Sequence, residues 1–139
     1  MADTVTTITI EDYAGSKYAA YHFTGISDGT GESGVVKIDK SAMAVAQDGA
    51  EPAAVDILQV DWNIQGFTYV KLSWDHTTDQ TAMLLPAGAG SRAFPKPLGE
   101  FYLKDPRTAG DTGDLLLTSV GAVSGATYDI TVYVRKAND

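Results

Sequence analysis

From Thr127 to Lys136 the chain alternates residue by residue: Tyr128, Ile130, Val132 and Val134 point one way, Asp129, Thr131, Tyr133 and Arg135 the other. A period of two marks a strand with one buried and one wet face, and it excludes an amphipathic helix over the same residues. Thr68–Asp75 repeats the pattern with Val70, Leu72 and Trp74 inward, and Val55–Asn63 does so with Leu58, Val60 and Trp62 inward. Gln65-Gly66 between these two segments predicts a hairpin. Both tryptophans fall on the apolar parity and are expected in the core.

Six further strands are expected at Thr4–Ile10, Tyr18–Ile26, Val35–Asp39, Ala82–Leu85, Glu100–Lys104 and Leu115–Val120. Gly, Pro, Asp and Ser clusters separate them. Ser41–Ala50 alone has a helical flavour, with Ser41 as its N-cap and room for one short helix. About nine short strands with frequent turns predict an all-β fold, a two-sheet antiparallel sandwich of jelly-roll type. A length of 139 residues without internal repeat or composition shift fits one domain over 1–139.

Pro86–Gly99, reading PAGAGSRAFPKPLG, breaks the pattern. Pro lacks the N–H that a central strand must donate, and Gly weakens a ladder. Two readings stay open: a long surface loop, or an extended arm that binds a partner. In the second, Arg92 and Phe94 are the contact residues, one cationic and one aromatic. Tyr69 and Tyr133 have outward parity and are further contact candidates. Thr4, Val5 and Thr6 begin a Thr-rich strand that could add to a sheet edge, its own or a neighbour's.

The chain has no cysteine, which removes thiolate metal sites and cysteine nucleophiles. A formal charge of −8 argues against nucleic acid as a partner. No apolar run approaches the roughly 18 residues of a membrane span, so no membrane partner is expected. Met1–Thr4 has neither the basic region nor the apolar stretch of a secretion signal, so synthesis and folding in a cytoplasm are expected.

Catalytic equipment is sparse. His22 sits on the wetter parity of its strand and His76 in a turn, and neither stands in a nucleophile elbow or zinc-helix motif. Asp28–Glu32 and Asp111–Asp114 are acidic Gly-containing loops. Calcium binding is one reading, and a turn with Asp bonding to its own backbone is the other and the preferred one. No enzyme activity, cofactor or metal is expected. A glycan-binding β-sandwich would need an aromatic platform, for which only the outward tyrosines offer themselves.

Three stretches taken together carry a resemblance: Tyr21–Ala42, the segment ending in Leu72-Ser73-Trp74-Asp75, and Gly113–Lys136. They resemble small β-rich virion structural proteins of tailed bacteriophages, the head decoration or cement type. The resemblance implies a non-enzymatic protein on the outer capsid surface, synthesised in the host bacterial cytoplasm. It implies the major capsid protein as partner, joints between capsid subunits as its place, and a homo-oligomer, a trimer being favoured. A neck, tail or fibre-associated module is the alternative within the same class. The Pro86–Gly99 segment lies outside the resemblance.

Overall fold

In the computed structural model, residues 4–45, 49–94, 103, 106, 110 and 112–137 are described. Seven strands are present: β1 (Thr4–Glu11), β2 (Tyr18–Asp28), β3 (Val35–Ile38), β4 (Ala54–Trp74), β5 (Gln80–Ala93), β6 (Leu115–Val120) and β7 (Ser124–Ala137). All pairings are antiparallel, and the order is β1-β2-β7-β4-β6-β3 with β5 on the other edge of β4.

The organising element is β4, 21 residues long. The hairpin expected at Gln65-Gly66 is not formed. Instead, the two segments are halves of one bent strand, and both pair with β5: Asn63 opposes Ala89 and Tyr69 opposes Pro86. Gly66 takes φ of 87°, the left-handed conformation that a hairpin turn and a strand bend both use, so the residue type alone does not choose between them. Along the opposite edge, β7 pairs with the first half of β4 and β6 with the second. The corner between β6 and β7 holds Gly121 at φ of 75°, where a Cβ would lie 2.2 Å from Thr68 Oγ1.

The bend brings the two arms of the sheet face to face. Thr81, Ala82, Met83 and Leu84 at one end of β5 line the same cleft as Arg92 and Phe94 at its other end. The result is one nearly closed antiparallel sheet, where the alternation predicted two separately bonded ones. These pairings do not trace the double sheet of a jelly roll. The count falls from nine to seven because two expected strands merge into β4 and because Glu100–Lys104 contributes a single described residue, Leu103. Its backbone exchanges hydrogen bonds with Ile57 at 2.9 and 3.0 Å.

The core lies between the arms. Val55, Ile57, Val60 and Ile64 from the first half of β4 meet Val70, Leu72 and Trp74 from the second, with Phe23, Leu85, Leu115, Leu117, Ile130, Val132 and Val134 around them. Each large apolar side chain buried this way contributes about 1.5–3 kcal/mol. Trp74 is in this core and donates its indole N–H to the Val55 carbonyl at 3.2 Å. Trp62 keeps the inward parity of Val60 and Ile64 but is only half-buried, packed against the core rather than enclosed in it, a correction to its expected place. A register shift at Leu58 disturbs the alternation just before it, and a Cβ on its register partner Gly90 would meet its ring at 2.5 Å.

Pro86–Ala93 is strand rather than loop, which corrects the first part of the expected arm; 95–99 lie outside the described residues. The proline is tolerated because β5 pairs with β4 alone and leaves its other edge without a ladder among the described residues. The expected helix at 41–50 is a three-residue 3₁₀ turn, Lys40–Ala42. Asp39, not Ser41, caps it, accepting from the Ser41 backbone N–H at 3.0 Å. Residues 46–48 are outside the description.

Candidate interaction edge

β1 consists of Thr, Val and Ile up to Glu11, side chains that suit a pleated ribbon. It forms a regular ladder with β2 from Thr4 opposite Ile26 to Thr9 opposite Tyr21, and a bulge at Ile10 ends the regular part. Every residue of the strand is exposed. Val5, Ile8 and Ile10 show 41, 52 and 52% of their surface to solvent. No described strand pairs with the outer edge of β1, so its outward N–H and C=O groups have no ladder. The expected contact residues Thr4, Val5 and Thr6 therefore stand on a bare edge.

Tyr133, 38% exposed, joins this region from the outer face of β7. It lines a shallow depression with Ile10, Glu11, Tyr18, Ala19 and Ala20, so the sheet brings together a C-terminal tyrosine and the N-terminal edge. The other candidates lie elsewhere. The Arg92 guanidinium sits 5.1 Å from the centre of the Phe94 ring, and the pair lines the cleft between the arms of β5. Tyr69 is half-buried on the second arm of β4, opposite Pro86 and Val120, and lines neither depression. The five groups proposed from sequence thus do not form one surface: Arg92 and Phe94 share the cleft, Tyr133 lies near the Glu11 end of β1, Thr4, Val5 and Thr6 lie toward its other end, and Tyr69 stands apart.

Tyr18, Ile8 and Ile26 were not singled out by pattern, yet all three are exposed apolar residues at or beside the edge. The parity of β2 held the clue, because Tyr18 and Ile26 share the wet parity of His22. That set also contains Ala20 and Thr24, so its apolar character is diluted.

Several polar side chains away from the outer edge of β1 are committed to structure. Lys136 continues the inward parity of β7 and is buried, its Nζ 2.5 Å from Asp12 Oδ1 and 3.1 Å from both the Tyr13 and Ala44 carbonyls. Tyr21 donates to the same carboxylate at 3.2 Å, and burial together with that negative charge raises its pKa far above the ordinary phenol value. Lys37 and Glu32 form a second buried pair at 2.7 Å, with Tyr128 donating its hydroxyl to the same carboxylate. His22 lies on the outer face with Nε2 2.5 Å from Asp129 Oδ1. His76 is buried at the end of β4, its backbone N–H donating to Asp79 at 3.0 Å.

The first acidic loop forms a turn on its own backbone, and the described part of the second is tied to distant segments. Asp28 Oδ1 accepts from Thr30 N at 3.1 Å and from Thr30 Oγ1 at 2.6 Å. Asp114 Oδ1 accepts from Lys40 N at 3.0 Å, and Thr112 donates its hydroxyl to Asp75 at 3.0 Å. Burial raises the Asp114 pKa, whereas the hydrogen bonds from Ser41 lower that of Asp39. Asp111 is outside the described residues. Among the described residues no three potential ligands gather around one point that could hold a metal ion. No described helix is long and apolar enough to cross a membrane.

Comparison with protein-family models, with curated proteins and with solved structures finds no match to this chain. What the edge offers chemically is therefore read from its own geometry: backbone hydrogen bonds along an open strand, and β-branched and aromatic side chains beside it.

Proposed function

We propose that the protein is a non-enzymatic structural component of a tailed-phage virion, a head decoration protein that binds the outer capsid surface and braces joints between major capsid subunits. The observation that carries this reading is the N-terminal strand β1, exposed on both faces and, among the described residues, open along one edge, while the inward side chains of β7 are packed in the core. A protein whose work is contact needs such a surface and needs no cleft with paired acids and bases. The resemblance of Tyr21–Ala42 and Gly113–Lys136 to decoration proteins supplies the partner class. Repetition over a lattice lets many weak contacts add up, so a modest edge suffices at each site.

The test is addition of the purified chain to expanded capsids assembled without it. Binding is expected, with a rise in the temperature at which the capsids open, and Ile8→Lys is expected to weaken both. Retention on a glycan array by a chain that binds no capsid would replace this reading with the carbohydrate-binding one.

A further inference from the structure

The outer edge of β1 is built to pair with itself. All seven residues Thr4–Ile10 are β-branched, and none is charged, in a chain whose net charge is −8. Exposed edges are ordinarily guarded by Lys, by Pro or by an inward charge. The regular part of this one carries none of these, and its bulge is confined to Ile10 at the end. Val5, Thr7 and Thr9 share the side of the sheet that Phe23 and Tyr21 occupy, while Thr4, Thr6 and Ile8 share the side of Ile26 and His22.

We infer that a second copy of this chain occupies the edge, β1 pairing antiparallel with β1 across a twofold axis at Thr7. In that register Thr6 faces Ile8, Val5 faces Thr9 and Thr4 faces Ile10, so each cross-strand pair joins two β-branched side chains on the same side of one continuous sheet. Such pairs are the favourable ones, and no like charges meet within the seven residues. A foreign partner would need another source of affinity. Before Glu11 the edge has no charge to draw a strand of either sign. An identical strand supplies the hydrogen-bonding pattern and the side-chain match at once, and twofold contacts of this isologous kind are the commonest in homo-oligomers. The pairing takes up the backbone edge of the strand that carries the capsid reading and leaves its exposed side chains for the capsid, and it departs from the threefold assembly that the resemblance implies.

The mass of the full chain in solution, followed over increasing concentration, tests this. The expected result is a rise from 14.7 kDa to twice that value. Because two strongly acidic molecules repel each other and salt screens the repulsion, the rise is expected at lower protein concentration in high salt. Thr7→Lys places two like charges on the axis at an exposed position and is expected to return the mass to one copy with an unchanged circular dichroism spectrum. Since the chain has no cysteine, Thr7→Cys provides a second reading: oxidation is expected to yield a covalent dimer, and Val36→Cys on the opposite edge strand to yield none. A mass of one copy at all concentrations, a three-copy mass, a dimer indifferent to Thr7→Lys, or equal cross-linking of the two cysteine variants would overturn the inference.

Discussion

β1 and β7 are written in nearly the same alphabet, and the molecule treats them in opposite ways. Both are rich in Thr, Val and Ile. In β7 the side chains of Tyr128, Ile130, Val132 and Val134 are buried to within a few per cent, between β2 on one side and β4 on the other. In β1 no side chain is buried, and among the described residues one ladder alone holds the strand. The difference teaches that β-propensity selects the strand, while position in the sheet decides whether it contributes to stability or remains available for contact. Propensity is a statement about fitting a pleated surface, not about where that surface ends up.

The sharpest way to test the contrast is at the end of β7, where a cation is buried. Lys136→Ala leaves the Asp12 carboxylate without its ammonium and removes the side-chain donor to the Tyr13 and Ala44 carbonyls. A loss of about 3–5 kcal/mol is expected in urea unfolding, as for other broken buried pairs. Next comes Ile130→Ala in the middle of β7, expected to cost about 2–5 kcal/mol by the same measurement. Gly90→Ala tests the packing of the bent sheet: its Cβ would press on the Trp62 ring, and a cost of about 1–3 kcal/mol is expected. A change in Trp fluorescence should accompany it.

The smallest effect belongs to β1. Ile8→Thr should change stability by no more than about 0.5 kcal/mol, because the side chain is half in solvent already. The comparison breaks if Ile8→Thr costs as much as Ile130→Ala, for β1 would then be part of the cooperative core. Amide exchange sharpens it further: the β1 amides are expected to exchange at low protein concentration well ahead of those in β7.

Much of the strand pattern was legible in the residues. Alternation located β7 and both halves of β4, and it placed Val70, Leu72, Trp74 and the four inward residues of β7 correctly. Leu115–Val120 agrees with β6 end for end. The missed features share a cause. Gly66 and Pro86 were taken as interruptions because their residue types end strands in isolation. Yet a strand can continue through a bend when a neighbour spans it, as β5 spans the bend of β4. Parity gives the side of the strand on which Trp62 lies, which it shares with the buried Val60 and Ile64, and carries no information about how fully neighbouring strands cover it. On the candidate edge, Thr4, Val5 and Thr6 were legible as a strand with a free side, whereas the meeting of Tyr133 with Ile10 and Glu11 at the far end of that strand depended on β2 and β7 lying side by side.

By itself, then, the sequence determined the local periods: which segments are extended and which side of each is apolar. These follow from neighbours one and two residues apart, and pleating carries them over directly. The tertiary structure alone decided that one bent strand organises the sheet, that Lys136 finds its counter-charge in Asp12 more than a hundred residues earlier, and that β1 ends up at an edge. Each of these depends on which distant strands are adjacent, and alternation along the chain is the same whether a strand lies at the centre of a sheet or at its rim.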